Sequence, residues 1–156
     1  METVTIAGNV IEYNGNDELV AKSEVYDVRI WSDVSIGSDV RIASGVRIAS
    51  DVSIFPGVRI ASDVSIASGV RIESGVRGTV LKVTSLSLVY EYQTDIIETD
   101  ENVYVRMGCF TRTVVEWKAD FWNNEKEFPR GSEEGERRLL AFNIAMDILG
   151  MARLEA

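Results

Sequence analysis

The sequence predicts a mainly β protein in which short strands repeat along the first half of the chain and an α+β module follows. Three observations support this prediction. A six-residue repeat runs from Asp27 to Val80, apolar and polar residues alternate with period two after Gly78, and two helix-start signals occur later in the chain. The repeat sets the architecture, because a short fixed period is typical of proteins built from stacked units.

The repeat consists of nine hexads, which read DVRIWS, DVSIGS, DVRIAS, GVRIAS, DVSIFP, GVRIAS, DVSIAS, GVRIES and GVRGTV. The first eight each contain Val, then Arg or Ser, then Ile, a three-residue strand whose side chains point inward, outward and inward. A corner of Ser followed by Asp or Gly comes next, since these residues tolerate the backbone angles of tight bends. We therefore expect a core of Val and Ile side chains within residues 25–80.

The segments on either side of the repeat are expected to cap it, because a stack of strands exposes unpaired edges at both ends. Residues 1–24 are predicted to form an N-terminal cap of two short strands, VIEY and ELVA, joined by a turn at Asn14-Gly15. Residues 81–156 are predicted to form an α+β C-terminal module with two helices. The predicted domains are therefore 1–24, 25–80 and 81–156.

Within the C-terminal module, TVLKVTSLSLVYEYQ and DENVYVRMGCF read as strands. A capping box from Thr113 to Glu116 predicts a short helix through Trp122, and Ser132 predicts a longer helix to about Leu154. The long helix has a broad apolar face that a cap or a subunit interface should cover. Trp117 and Trp122 are expected to pack inside the module.

Read as Ile-Ala-Ser-Gly-Val-Arg, eight consecutive units resemble the hexapeptide signature of the left-handed parallel β-helix family. The resemblance implies three hexads per triangular coil and trimerisation. The implied fold class is mainly β, a short left-handed parallel β-helix of about three coils with a C-terminal α+β cap. Residues 103–150, with YVRMGCF, VVEWKADFW and a long helix, are similar to the end module of phage-encoded hexapeptide-like repeat proteins, which suggests a viral accessory protein.

Composition excludes several classes of function. Sixteen basic and twenty-five acidic residues give a net charge of −9, so the whole molecule repels nucleic acid and anionic membranes. The absence of histidine removes the usual general base, metal ligand and imidazole triad. The hexapeptide-repeat acyltransferases and carbonic anhydrases that the chain resembles depend on histidine. We therefore expect a protein that is not an enzyme and that uses no metal or cofactor.

Location follows from the same composition. The start METVTIAGNV lacks a basic segment followed by an apolar core, and no long uncharged apolar window occurs. One cysteine, Cys109, cannot form an intramolecular disulfide and is expected to be a buried structural thiol. We expect a cytoplasmic protein, in the host cytoplasm if the protein is viral, with no nucleic-acid or membrane partner.

The outward position of each hexad supplies the candidate binding residues, because residues 18 apart should stack in columns on one face. The predicted columns are Arg29, Arg47 and Ser65; Ser35, Ser53 and Arg71; and Arg41, Arg59 and Arg77. Guanidinium groups about 5 Å apart repel one another unless an anion lies between them. One interpretation is lateral pairing with the aspartates at the corners, and the other is an anionic ligand or partner. The corner aspartates are Asp27, Asp33, Asp39, Asp51 and Asp63.

Two aromatic residues, Trp31 and Phe55, break the small-residue rule after isoleucine. Trp31 is expected to contact the N-terminal cap and Phe55 another protomer, and the alternative is an aromatic face beside the arginines for a flat ligand. The candidate ligand-binding residues are Arg41, Arg59, Arg77, Arg29, Arg47, Arg71, Trp31 and Phe55. In the C-terminal module, Arg137 and Arg138 are expected to pair with nearby glutamates, Glu133, Glu134 or Glu136.

Two functions stay open at this point. The first is a non-enzymatic phage accessory protein that holds a small anionic, nucleotide-like ligand at subunit interfaces of a homotrimer and sequesters a host signalling nucleotide. The second is a structural or protein-binding trimer that engages a host protein through its acidic surface, since the net charge lies outside residues 25–77. An acyltransferase-like enzyme that works without histidine is a third alternative.

Overall fold

The structure is a computed structural model and describes residues 1–155. The chain forms two compact units. The first, here called the repeat unit, contains residues 1–84 and 97–102. The second, the C-terminal unit, contains residues 85–96 and the residues from 103 onward.

The repeat unit begins with a hairpin and a helix. Strand β1 (Glu2–Ile6) pairs antiparallel with β2 (Asn9–Tyr13), and helix α1 (Asn16–Glu24) follows. The hairpin turn lies at Ala7 and Gly8, whose φ angles are 49° and 81°. The predicted pairing of VIEY with ELVA around Asn14-Gly15 is therefore wrong, since ELVA lies in α1.

The local contacts of α1 explain why ELVA is helical. Gly15 is the N-cap residue with a φ of 85°, and the backbone N–H of Asn14 donates to a Glu18 carboxylate oxygen at 2.8 Å. Acidic side chains in the first turn favour a helix N-terminus. Glu18 also pairs with Lys22 one turn later, at 2.7 Å. The Asn-Gly dipeptide thus leads into a helix and does not close a hairpin.

Eight two-residue strands follow, and they stack in parallel with the spacing that the repeat predicts. They are β3 (Arg29–Ile30), β4 (Ser35–Ile36), β5 (Arg41–Ile42), β6 (Arg47–Ile48), β7 (Ser53–Ile54), β8 (Arg59–Ile60), β9 (Ser65–Ile66) and β10 (Arg71–Ile72). Two sheets have the strand orders β3-β6-β9 and β4-β7-β10. In each sheet the paired residues belong to successive coils, as Arg29 pairs with Arg47 and Ser35 with Ser53.

The third sheet of the repeat unit has the order β2-β1-β5-β8-β11, where β11 spans Thr79–Leu86. β1 joins it as a parallel neighbour of β5, with Thr5 opposite Arg41. The N-terminal hairpin therefore pairs the strand edge of β5 and acts as a cap.

The interior of the coils is the predicted aliphatic core. All sixteen Val and Ile side chains of the first eight hexads are at most 9% exposed. The five corner aspartates have φ angles between 58° and 63°, and Gly45, Gly57 and Gly69 have φ angles between 79° and 83°. This left-handed backbone conformation is unfavourable for most side chains and is tolerated by Asp and Gly. The corner prediction is confirmed at these positions.

The C-terminal unit contains two antiparallel strands and two helices. Strands β13 (Val103–Met107) and β14 (Phe110–Thr113) pair, and β12 (Thr94–Thr99) lies beside β13 in the sheet order. Both β11 and β12 have residues in each unit. The strand predicted to continue to Gln93 ends at Leu86, and Leu88 has a φ of 66° that breaks the extended backbone.

Helix α2 (Val114–Ala119) begins with the predicted capping box, because Thr113 and Glu116 bond each other's side chain and backbone. Helix α3 (Glu133–Leu149) begins at the predicted N-cap residue Ser132. α3 ends five residues earlier than predicted, because Gly150 adopts a φ of 68° and caps it in the left-handed conformation. α2 likewise ends at Ala119 and not at Trp122.

Much of the apolar face of α3 is covered inside its own unit. Leu139, Phe142 and Met146 are buried in a core that also contains Trp117 and Phe121. Leu140 and Ile148 remain exposed. No helix among residues 1–155 is both long and apolar enough to cross a bilayer.

Candidate functional site

The outward residues of the coils form the candidate site, and two of the three predicted columns are confirmed. Arg29, Arg47 and Ser65 are register partners through β3, β6 and β9. Ser35, Ser53 and Arg71 are partners through β4, β7 and β10. The inward Ile after each of these residues is buried, so the outward side chains stand on a rigid aliphatic support.

The third column contains two arginines and not three. Arg41 lies opposite Arg59, but Arg59 lies opposite Thr79 of β11. The placement of Arg77 in this column is therefore wrong. The column reads Thr5, Arg41, Arg59 and Thr79.

The shift at the end of the column follows from the chain around Gly78. Gly78 has a φ of 90°, and a Cβ atom there would lie 2.3 Å from Asp100 Oδ1. The same carboxylate oxygen accepts a hydrogen bond from the backbone N–H of Thr79 at 2.8 Å. Asp100 thus fixes where β11 begins, and the six-residue count does not extend into that strand.

The stacked arginines have no counter-charge from the corner aspartates. Among residues 1–155, no carboxylate oxygen lies within 4.0 Å of a guanidinium nitrogen in five arginines, Arg29, Arg41, Arg47, Arg59 and Arg71. Lateral pairing with Asp27, Asp33, Asp39, Asp51 and Asp63 is therefore wrong for these five. These aspartates occupy the corners of the coils, where the backbone adopts the left-handed conformation.

Phe55 and Arg71 contact each other. The Arg71 Cζ atom lies 5.3 Å from the centroid of the Phe55 ring, and both side chains are half-buried. A cation–π contact of this kind stabilises by about 0.5–1 kcal/mol. Arg71 is thus held by an aromatic ring of the same unit, whereas Arg41 and Arg59 are exposed without such a contact.

Trp31 and Arg29 lie together in a groove between α1 and β3, with a volume of about 770 Å³. The Trp31 main chain contacts the N-terminal segment, because Asn16 Nδ2 donates to the Trp31 carbonyl at 3.3 Å, whereas the predicted packing of the indole on that segment stays a prediction. The indole is nevertheless 49% exposed. The groove is lined by Asn16, Asp17, Val20, Glu24, Asp27, Arg29, Ile30, Trp31 and Ser32.

Sequence reasoning missed a buried charged pair in the C-terminal unit. Arg106 Nε and Nη2 each lie 2.7 Å from Asp95 Oδ2, and Asp95 has no exposed surface. Ser85 Oγ and Gln93 Nε2 donate to the other carboxylate oxygen, each at 2.8 Å. Since the pairing of β12 and β13 brings the two charges together, nothing local in the sequence signals it.

Arg138 is the second buried cation of this unit. The predicted pairing of Arg137 with Glu133 is confirmed at 2.8 Å, but that of Arg138 with a glutamate is wrong. Arg138 is 2% exposed and donates to the Phe121 carbonyl and to Asn123 Oδ1. Its burial lowers the pKa of the guanidinium.

The guanidinium of Arg138 is surrounded by three rings. Its Cζ atom lies 5.2 Å from the ring centroid of Trp117, 5.0 Å from that of Phe121 and 5.2 Å from that of Phe128. A sequence signal existed for this placement, because Arg138 is one helical turn from Phe142 on the buried face of α3. Its aromatic and carbonyl contacts account for its position as part of the core.

Cys109 and Trp117 are both expected to be buried in this unit, and the structure differs between them. Cys109 is exposed in the turn between β13 and β14, so its expected burial is wrong. The turn itself explains this, because Gly108 has a φ of 64° and ends the strand before the cysteine. Trp117 is fully buried, as predicted, and its Nε1 donates to the Val105 carbonyl at 2.7 Å.

Within residues 1–155, no group of three or more Cys, Asp or Glu side chains has a metal-binding arrangement. No protein-family model matches the chain, and comparison with curated proteins and with solved structures finds no significant match. The resemblance to hexapeptide-repeat proteins and to their phage-encoded relatives therefore stays a prediction from the residues that carry it.

Proposed function

We propose that this protein is a non-enzymatic binding protein that holds a small phosphate-bearing, nucleotide-like anion against Arg41 and Arg59. One observation carries the proposal. The two residues are register partners on neighbouring parallel strands, and both side chains are exposed. Neither guanidinium lies within 4.0 Å of a carboxylate oxygen of the described chain.

Elementary electrostatics explains why this arrangement favours an anion. Neighbouring strands are about 4.8 Å apart, so the two side chains can reach one phosphate group together. Two like charges at about 4 Å repel by about 1 kcal/mol in water and more beside a protein surface. An anion between them removes this repulsion and accepts charge-assisted hydrogen bonds from both planar guanidinium groups.

Other arginines of the chain provide the contrast. Arg106, Arg112, Arg137 and Arg153 each have a carboxylate partner, namely Asp95, Asp120, Glu133 and Asp147. Arg138 is held by carbonyl oxygens and aromatic rings instead. Arg41 and Arg59 have neither kind of partner on an exposed face, and the register pair of Arg29 and Arg47 likewise has no carboxylate partner.

The proposal includes the assembly and the handedness of the coil. We propose a short left-handed parallel β-helix that forms a homotrimer, with the anion in a cleft between protomers. Eight consecutive hexads that resemble the signature of that family support this assignment. The phage accessory role, the cytoplasmic location and the sequestration of a host signalling nucleotide rest on the same resemblance.

Isothermal titration with inorganic pyrophosphate and with AMP tests the proposal. We expect binding by the wild-type protein and a loss of about tenfold or more in affinity for Arg59→Ala. Arg137→Ala is the matched control, because it removes the same charge from an exposed helix position that already has a partner. Equal affinities of the three proteins, or no binding to the wild type, would contradict the proposal.

A protein-binding role through the acidic surface is the alternative. Acidic and basic residues balance within residues 25–77, so the net charge of −9 comes from the rest of the chain and would favour a basic partner. A partner captured equally by the wild type and by Arg59→Ala, together with no anion binding, would favour this role over the first.

A further inference from the structure

The groove between α1 and β3 contains unpaired charges of both signs. Asp17, Glu24 and Asp27 line it, and none of these carboxylates lies within 4.0 Å of a basic nitrogen of the described chain. Arg29 lines the same groove and has no carboxylate partner. The groove therefore offers three anionic groups and one cationic group that do not neutralise one another.

One further feature of the groove points to a ligand with a delocalised or ammonium cation. Trp31 leaves about half of its surface exposed there, and an indole face attracts a cation more strongly than other aromatic side chains do.

We propose that this groove binds a free basic amino acid. The side-chain cation of the ligand lies against Trp31, its α-ammonium group is neutralised by the groove carboxylates, and its carboxylate pairs with Arg29. Two cationic groups and one anionic group match the lining, in which three carboxylates accompany one guanidinium. The volume of about 770 Å³ is sufficient for a molecule of this size.

The charge of the lining argues against the two simpler classes of ligand. A nucleotide or another polyanion would meet three carboxylates and a single guanidinium, so its net interaction is repulsive. A purely apolar ligand would take the charged groups of the lining out of water without giving them partners. This site is separate from the column of Arg41 and Arg59, and it does not depend on the function proposed for that column.

Titration with arginine and citrulline tests the assignment. Citrulline keeps the amino-acid end of arginine and replaces the guanidinium by a neutral urea group. We expect arginine to bind the wild-type protein and citrulline to bind about tenfold more weakly.

Two substitutions locate the site and a third controls for overall charge. Trp31→Ala and Glu24→Gln should each weaken arginine binding several-fold, whereas Glu125→Gln should leave it unchanged, because Glu125 is exposed in the C-terminal unit and outside the groove. Both groove residues are exposed, and Glu24→Gln preserves side-chain shape, so we expect both variants to fold, which circular dichroism checks.

Three results would overturn the proposal. They are the absence of arginine binding, citrulline binding as tight as that of arginine, and an equal loss on Glu125→Gln. Arginine binding is measured separately from pyrophosphate binding, so failure here is distinguishable from failure at Arg41 and Arg59.

Discussion

Arg59 lies opposite Thr79, two positions beyond the residue that the six-residue count places there. The chain from Arg59 to its register partner Thr79 is therefore two residues longer than the chain between register partners in the preceding coils. The backbone conformation of Gly78 and the hydrogen bond from Thr79 N–H to Asp100 accompany this change of register. The exposed column of the sheet is limited to two arginines with a threonine at each end. A column this short suits the single small anion that we propose better than it suits a long polyanion.

Of the three arginines that the repeat groups together, Arg77 is expected to contribute least to anion binding, because the register separates it from Arg41 and Arg59. We expect Arg77→Ala to reduce pyrophosphate affinity less than Arg41→Ala or Arg59→Ala, because its backbone is not a register partner of either residue. Isothermal titration of the three variants under one buffer condition provides the comparison. A loss at Arg77 as large as that at Arg59 would show that the column extends beyond Thr79.

Gly37 is expected to be intolerant of a side chain. A Cβ atom at this position would lie 2.4 Å from the backbone nitrogen of Pro56, and a proline backbone cannot move aside easily. Gly37→Ala should lower the free energy of unfolding by about 1–3 kcal/mol. Gly75→Ala is the control, because a Cβ there has nothing within 4 Å, and its cost should be below about 0.5 kcal/mol. Urea unfolding followed by circular dichroism measures both, and equal stabilities would refute the close approach of the two coils.

Adjacent arginines on α3 should differ strongly in their contribution to stability. Arg138→Ala leaves a cavity beneath three rings and removes the donor to the Phe121 carbonyl, so it should cost about 2–5 kcal/mol. Arg137→Ala removes only an exposed ion pair and should cost less than about 0.5 kcal/mol. Thermal and urea unfolding give the two values. Similar costs for both substitutions would contradict the burial of Arg138.

Stability should fall at alkaline pH because of Tyr13. Its burial and the nearby Glu2 carboxylate raise the pKa of the phenol to about 12, above its ordinary value of 10.0. A folded-state pKa above the unfolded one means that the stability contributed by the protonated phenol is complete below about pH 10 and is lost as the pH rises through about 12. Urea unfolding between pH 8 and pH 12 should show a smaller decline for Tyr13→Phe than for the wild type. Identical pH profiles would contradict the assignment.

Much of the repeat unit could be predicted because its information is local and repeated. Each hexad forms a short strand with an inward Ile and a corner, so the six-residue period predicts the core and the corners. The spacing of 18 residues between register partners predicts two of the three columns. The same counting failed at Arg77, since Asp100, a residue distant in sequence, determines where β11 starts. The prediction of a hairpin turn at Asn14-Gly15 was wrong for a different reason, because this dipeptide suits both a hairpin and the start of a helix.

The C-terminal unit shows where local patterns are insufficient. The capping box at Thr113 is a local signal, and the structure confirms it. The pair of Arg106 and Asp95 depends on strand pairing, which no spacing in the sequence specifies. The groove at Trp31 likewise requires α1 beside β3, so its acidic lining could not be connected with Trp31 before the helix was known.

The central claim is that Arg41 and Arg59 hold a phosphate-bearing small molecule, and mass spectrometry of released ligands tests it most directly. Wild-type protein and the double variant Arg41→Ala/Arg59→Ala are equilibrated with a small-molecule extract of bacterial cells, washed and denatured. We expect a phosphate-bearing molecule to be released from the wild type and to be absent from the double variant. Release of no such molecule from the wild type, or of equal amounts from both proteins, would contradict the account.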